Sequence, residues 1–152
     1  MTCWLLKTEP DAFSLEDLRR RGEEPWDGIR NYQARNFLRS MMPGESIFIY
    51  HSRTSVPGIV GTACIASPAR PDPTQFDPTS RYFDPASTRQ APRWDLVDVS
   101  YAGTFLEPVP LEILRKMEAF QDSLLIRKGN RLSVLPVTDA QWSAVMQRTR
   151  LV

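Results

Sequence analysis

Residues suited to metal and redox chemistry are scarce in this 152-residue chain, which has one histidine, His51, and two cysteines, Cys3 and Cys64. A zinc site of the usual Cys/His type would need all three plus a carboxylate from distant segments. No short ligand spacing supports one, so no metal site is expected. Both thiols sit in apolar runs and are too few for a disulfide framework, which points to a reducing, cytoplasmic setting. With only seven glycines, the chain shows no P-loop, dinucleotide fingerprint or nucleophile elbow, and so none of the usual phosphate cradles. Long apolar runs are also missing. Cys3-Trp4-Leu5-Leu6 follows no basic region and stops at Lys7, so it reads as a buried strand, not a signal peptide or membrane span. Neither charge sign dominates: 19 basic and 18 acidic side chains leave a net charge of +1, so contact with nucleic acid must rest on a local basic patch.

What is present is the composition of a folded globular domain, with 41% hydrophobic and 24% charged residues and no low-complexity tract. No boundary or repeat divides it, so residues 1–152 are expected to form one domain. Cys3 to Lys7 is a strand candidate. Ser14 with Asp17 forms a capping box for a short helix that Gly22 ends. Ile47–Ser52 and Ile59–Ile65 suggest a hairpin turning at Val56-Pro57-Gly58, with Tyr50, His51 and Ser52 at its mouth. Prolines recur from Pro68 to Pro92 and no regular element fits there. A loop of that length either covers a site or wraps the surface, and Phe76, Tyr82 and Phe83 could pin it down. Trp94–Phe105 returns to strand character. Pro110 introduces a helix through Leu111, Leu114 and Met117, Lys128–Arg131 forms a turn, Leu132–Val137 is a strand, and Thr138 caps a last helix carrying Trp142, Val145 and Met146. Strands without regular βαβ alternation predict an α+β fold built on a mixed, mainly antiparallel sheet curled toward a barrel.

The densest chemistry lies in Trp26-Asp27-Gly28-Ile29-Arg30-Asn31-Tyr32-Gln33-Ala34-Arg35-Asn36. Asn31 is a good N-cap, with Ala34, Phe37, Leu38 and Met41 at helical spacing behind it, predicting a helix from Tyr32 to Met42 stopped by Pro43-Gly44. Arg30 and Arg35 flank its already positive start, which suits a bound phosphate; alternatively both pair with acids elsewhere. Catalytic groups are sparse. His51 and Ser52 are strand neighbours pointing to opposite faces, and Glu9, Asp27 and Asp98 could form a carboxylate couple only by folding together. What remains is a binding site of flat rings, amides and a few cations, suited to a base and its phosphates. Trp26, Tyr32, Tyr50 and Trp94 border turns or element ends, whereas Trp4 and Trp142 fit core periodicity.

Many ordered blocks then resemble the EVE-domain family, of the PUA-like superfamily that includes the YTH readers of methylated adenine. They are Trp4 to Pro10, Trp26 to Asn36, Tyr50-His51-Ser52, Pro57 to Gly61, Asp72 to Pro78, Pro92-Arg93-Trp94, Val97-Asp98-Val99, and Lys128 to Val134 with Pro136-Val137-Thr138. Thr8 replaces a frequent serine and keeps the hydroxyl. The resemblance implies a PUA-like β-barrel with flanking helices and a non-catalytic, cofactor-free pocket for a modified nucleobase, with modified cytosine in DNA favoured over a base in RNA. By position, it implies ring faces from Trp26 and Trp94 and a mouth lined by Tyr50 and His51, with Tyr32 also among the base-binding residues. Edge contacts would come from Asn31, Ser52 and Pro57-Gly58-Ile59, and phosphate contacts from Lys7, Arg30, Arg35 and Arg131. A small nucleotide enzyme using Glu9, His51 or Asp98 in the same cavity is the rival expectation.

Overall fold

The computed structural model describes residues 2–152. Its central sheet starts at the apolar run near the N-terminus, β1 (Cys3–Thr8), whose Trp4, Leu5 and Leu6 are buried. β1 runs parallel to β3 (Ser46–His51) and antiparallel to β8 (Val134–Val137). β3 continues antiparallel to β4 (Gly58–Ile65), which pairs with the long β7 (Asp98–Pro110), and the short β2 (Glu23–Pro25) closes that side. The strand order is therefore β2-β7-β4-β3-β1-β8. Register breaks at Ile49/Tyr50, Ile59/Gly61 and Thr62/Ala63 interrupt the ladders. Such bulges bend a strand and raise its twist, and the sheet curls into a half-barrel, as the predicted α+β, mainly antiparallel class requires.

α1 (Leu15–Arg21) begins at the predicted capping box, with Ser14 and Asp17 exchanging hydrogen bonds, and ends at Gly22 in a positive-φ conformation. α2 (Tyr32–Ser40) starts at Asn31 as predicted but ends earlier than the apolar spacing suggested. The residue before Pro43 is disfavoured in helical geometry, and the buried Glu45 carboxylate takes the Met42 N–H at 2.7 Å, the Trp4 indole N–H at 3.0 Å and the Thr2 N–H at 2.8 Å. α4 (Asp139–Arg148) opens with the Thr138–Gln141 capping box and lays Trp142 on Phe48, with ring centroids 3.9 Å apart. Phe105 meets the Phe48 ring obliquely at 6.2 Å, so these aromatics tie α4 to the sheet. No helix among the described residues is long and apolar enough to cross a membrane.

Three expectations need correction. The Pro68–Pro92 stretch holds two small elements: β5 (Arg70–Pro71), paired with β6 (Asp95–Leu96), and a 3-10 turn over Pro73–Phe76. The strand expected from Trp94 is consequently split at Val97, because β6 follows β5 while β7 follows β4. Finally, Pro110 ends β7, and α3 (Leu111–Leu114) is a single turn whose hydrogen bonds tighten from Arg115 N–H···O Leu111 to Lys116 N–H···O Ile113.

The long loop is held by buried polar groups. The Gln75 amide donates to the Asp72 and Trp94 carbonyls at 2.7 and 2.8 Å, and its oxygen accepts from Trp94 N–H at 3.0 Å and Ser87 hydroxyl at 2.6 Å. Because these partners lie up to 19 residues away, one satisfied amide fixes most of an otherwise irregular segment.

Candidate nucleic-acid interface

Trp26 leaves β2 with its N–H donated to the Val97 carbonyl at 2.8 Å, which anchors the start of the Trp26–Asn31 loop on the sheet. Gly28 follows at φ 83°, a conformation open to glycine, and its N–H donates to the Asp72 carboxylate at 2.9 Å. A Cβ at position 28 would come within 2.6 Å of the Tyr82 ring, so glycine also lets the long loop close on this backbone. Arg30 completes the join. Its guanidinium donates to the Tyr82 carbonyl at 2.9 and 3.0 Å, to Asp72 at 3.0 Å and to Thr74 Oγ1 at 2.9 Å.

These ties leave a cavity of about 570 Å³ between the end of β1, the Glu9–Phe13 turn, the Trp26–Ile29 loop and Arg81-Tyr82. The volume suits a small planar ligand. Trp26 is only 8% exposed but lines this space, with Phe13 packed edge-on against its ring at 5.9 Å. Lys7 also lines it, with its ammonium 5.5 Å from the Tyr50 ring centroid, and burial pulls its pKa below the usual lysine value. Of the lining carboxylates, Glu24 pairs with Arg21 at 2.7 Å and Glu9 with Arg53 at 3.0 Å. Asp27 has no such partner among the described residues. Desolvation, then the neighbouring Asp72 and Glu24 charges, push its pKa above the ordinary carboxylate value against the opposing pull of Arg30. A larger, more open depression of about 690 Å³ lies between Met117–Ala119 and α4, but no aromatic ring lines it.

The other predicted site residues are distributed around this cavity without being gathered into it. Trp94, 5% exposed, donates its indole N–H to Asp84 at 2.7 Å and stacks on Tyr32 at 4.7 Å, forming a separate aromatic pair. Arg35 lies 4.7 Å from the Tyr32 ring and donates to the Arg93 carbonyl. Asn31 spends its side-chain oxygen on the Ala34 N–H. Tyr50 is in the core. The His51 Nε2 accepts the Leu15 N–H at 3.1 Å at the start of α1, which requires a neutral ring, and burial lowers its pKa to match. Ser52 donates its N–H to the Thr8 carbonyl, and the Pro57 carbonyl accepts from Leu111. Gly58 packs so closely on β7 that a Cβ would sit 2.4 Å from the Val109 carbonyl oxygen, while Ile59 is fully buried. Arg131 is exposed two residues before Ser133, whose carbonyl accepts the Lys7 N–H, and it does not line the cavity. Of the predicted set, the cavity therefore takes Trp26 and Lys7. Asp27 joins them as the neighbour of Trp26, and Phe13 and Tyr82 join through folding of distant segments. The sequence marks Asp27 within the Trp26–Asn36 stretch and as a possible carboxylate partner, and Tyr82 as a loop anchor; Phe13 gives no separate signal.

A curled, mixed half-barrel with a ring-walled cavity beside its parallel strand pair defines a PUA-like protein. Residues 2–148 match the EVE domain, and the chain belongs to the EVE-domain family. It is 36% identical to human thymocyte nuclear protein 1 over 161 residues, covering 94% of this chain and 72% of that protein. A solved protein from Pseudomonas syringae is 44% identical, with a TM-score of 0.93 over 96% of this chain and 98% of the other. The human THYN1 protein, solved in complex with 5-methylcytosine containing DNA, is 36% identical, with a TM-score of 0.91 over 97% of both chains.

Proposed function

We propose that this protein is a non-catalytic reader of modified cytosine in DNA, taking the base into the Trp26 cavity. The observation that carries this reading is a ring-lined space of about 570 Å³ in a chain that matches, over 97% of its length, a protein solved with 5-methylcytosine containing DNA. A duplex hides its bases, so insertion costs a few kcal/mol of unstacking, and an aromatic stack of about 1–3 kcal/mol offsets much of it. The C5 methyl group would add apolar contact against the Phe13–Trp26 wall. We assign Lys7 and Arg131 to the phosphates flanking the mouth, while Arg30 supports the loop that closes it. The Tyr32–Trp94 pair and Arg35 lie outside the cavity, and we assign them to a neighbouring nucleotide.

The non-catalytic assignment rests on engagement of the rival groups. Glu9 is paired with Arg53, Asp98 with Arg70 at 2.7 and 2.9 Å, and His51 with the α1 N-terminus. We take residues 1–152 to act as one domain, and the two unpaired thiols, Cys3 and Cys64, to favour a reducing compartment such as the cytoplasm. Fluorescence anisotropy with matched oligonucleotides tests the reading. Trp26→Ala should weaken binding to the 5-methylcytosine strand by about tenfold while leaving binding to unmodified DNA nearly unchanged. Equal losses on both strands would remove the cavity from base recognition, and tighter binding to the matched RNA would redirect the reading to RNA.

A further inference from the structure

Three groups in the cavity can accept the exocyclic amino hydrogen of cytosine through a carboxylate: Glu9, Glu24 and Asp27. Two already hold an arginine, Glu9 at 3.0 Å and Glu24 at 2.7 Å. Asp27 follows Trp26 directly in the wall, where it lines the cavity yet is still reached by solvent, and its carboxylate is left without an ion pair or a hydrogen bond from another residue among the described residues. The cation nearest in character, Arg30, is spent on Asp72, Thr74 and the Tyr82 carbonyl.

Resting on the base-reading function above, we propose that Asp27 is the specificity-determining residue of the cavity: its carboxyl group accepts the N4 amino hydrogen of an inserted cytosine and shares one proton with ring N3. Cytosine presents one donor and one acceptor side by side on that edge, and a carboxyl group holding a proton presents the complementary pair. Thymine carries the same methyl group and the same stacking face but has no basic ring nitrogen at N3: a carboxyl group could meet its edge with the proton on the other oxygen, but could not share that proton with the ring, so the shared proton is what favours 5-methylcytosine. Above the pKa of free Asp27, the shared proton must come from solution, so affinity for 5-methylcytosine falls as pH rises. The charged groups around Asp27 set where that occurs. Asp72 and Glu24 favour its neutral form and Arg30 its charged form, while Lys7 and Glu9 near β1, Arg21 of α1 and Arg81 of the long loop complete the surroundings.

The test uses the whole chain and short single-stranded oligonucleotides that differ at one central base, 5-methylcytosine, cytosine or thymine, titrated from about pH 6 to pH 8.5. Wild type should prefer 5-methylcytosine to thymine by about tenfold or more at the acid end, the worth of a bidentate base contact, with the preference shrinking as pH rises. Asp27→Asn offers the same donor and acceptor without titrating, so its affinity for 5-methylcytosine should stay flat across the range. Asp27→Leu should lose the preference over thymine. Retained preference in Asp27→Leu, or a wild-type profile as flat as that of Asp27→Asn, would overturn the assignment to Asp27 while leaving the cavity as a base site. Failure of wild type to separate 5-methylcytosine from cytosine at every pH would instead defeat the base-reading function and this assignment with it. Matching melting temperatures for the three proteins would exclude misfolding, which the free Asp27 side chain leads us to expect.

Discussion

Asp72 lies fully buried between the Trp26–Asn31 loop and the 3-10 turn, accepting from Gly28 N–H, Thr74 N–H, the Thr74 hydroxyl and Arg30. Burial by itself would raise its pKa, but these bonds outweigh that and hold it below the ordinary value of 3.8. Its stabilising effect is therefore complete above that value and is lost as pH falls further, through the folded-state pKa. Replacing Asp72 with alanine should cost about 3 kcal/mol in urea unfolding, since Arg30 would remain partly buried without its carboxylate. His51 behaves in the same direction for a different reason. Its folded pKa lies below 6.5 because burial disfavours the charged ring, so the stability it brings is present above that pH and declines as the solution is acidified. Wild type should melt at progressively lower temperature from about pH 7 to pH 5, whereas His51→Ala should start lower and show a shallower decline. Caps such as Ser14, Asn31 and Thr138 are legible in sequence because their partners lie three residues away. His51 is not, since the N–H it accepts lies 36 residues earlier, and from its strand position it resembles a pocket residue.

α4 is held by the buried Val145, by the Gln141 amide donating to the Ala119 carbonyl at 3.1 Å and by an aromatic contact in which Trp142 lies nearly parallel to Phe48, at 10° between planes. Trp142→Ala should cost about 3 kcal/mol, measured by chemical denaturation, and should leave oligonucleotide affinity unchanged at temperatures where the variant is folded. The periodicity of α4 put Trp142 in the core, though not against Phe48, just as the apolar runs marked β1, β3 and β4 as strands. The small elements were hidden for a physical reason. β5 and β6 are two-residue strands that exist only by pairing with each other, Arg70 opposite Leu96, and proline-rich sequence carries no propensity that foretells such a pairing. Likewise, Pro110 fits either a helix start or a strand end. Here the carbonyl of Pro57 takes the Leu111 N–H, which belongs to the contact between segments and not to the local sequence.

The whole molecule carries a net charge of +1, so long-range attraction to DNA is weak and the local cations must do what electrostatic work there is. The logarithm of affinity against the logarithm of salt should therefore have a shallow slope, about −2, as for a protein meeting only two or three phosphates; a much steeper slope would require a wider basic footprint than Lys7 and Arg131 provide. The mixed, curled sheet was foreseeable from the order and character of its segments, but the parallel pairing of β1 with β3 was not, because alternation alone leaves strand direction open. That pairing matters for the site: it sets Lys7 beside Tyr50 and Thr8 beside His51, carrying the end of β1 to the cavity wall. The most direct measurement uses the four tryptophans as reporters, following their indole N–H signals by NMR while 5-methylcytosine DNA is added. The Trp26 signal should shift strongly and saturably, with Trp4, bonded to Glu45, and Trp142, stacked on Phe48, unmoved. Saturable binding that leaves Trp26 unshifted and moves only Trp94 would contradict the cavity as the place where the base is held.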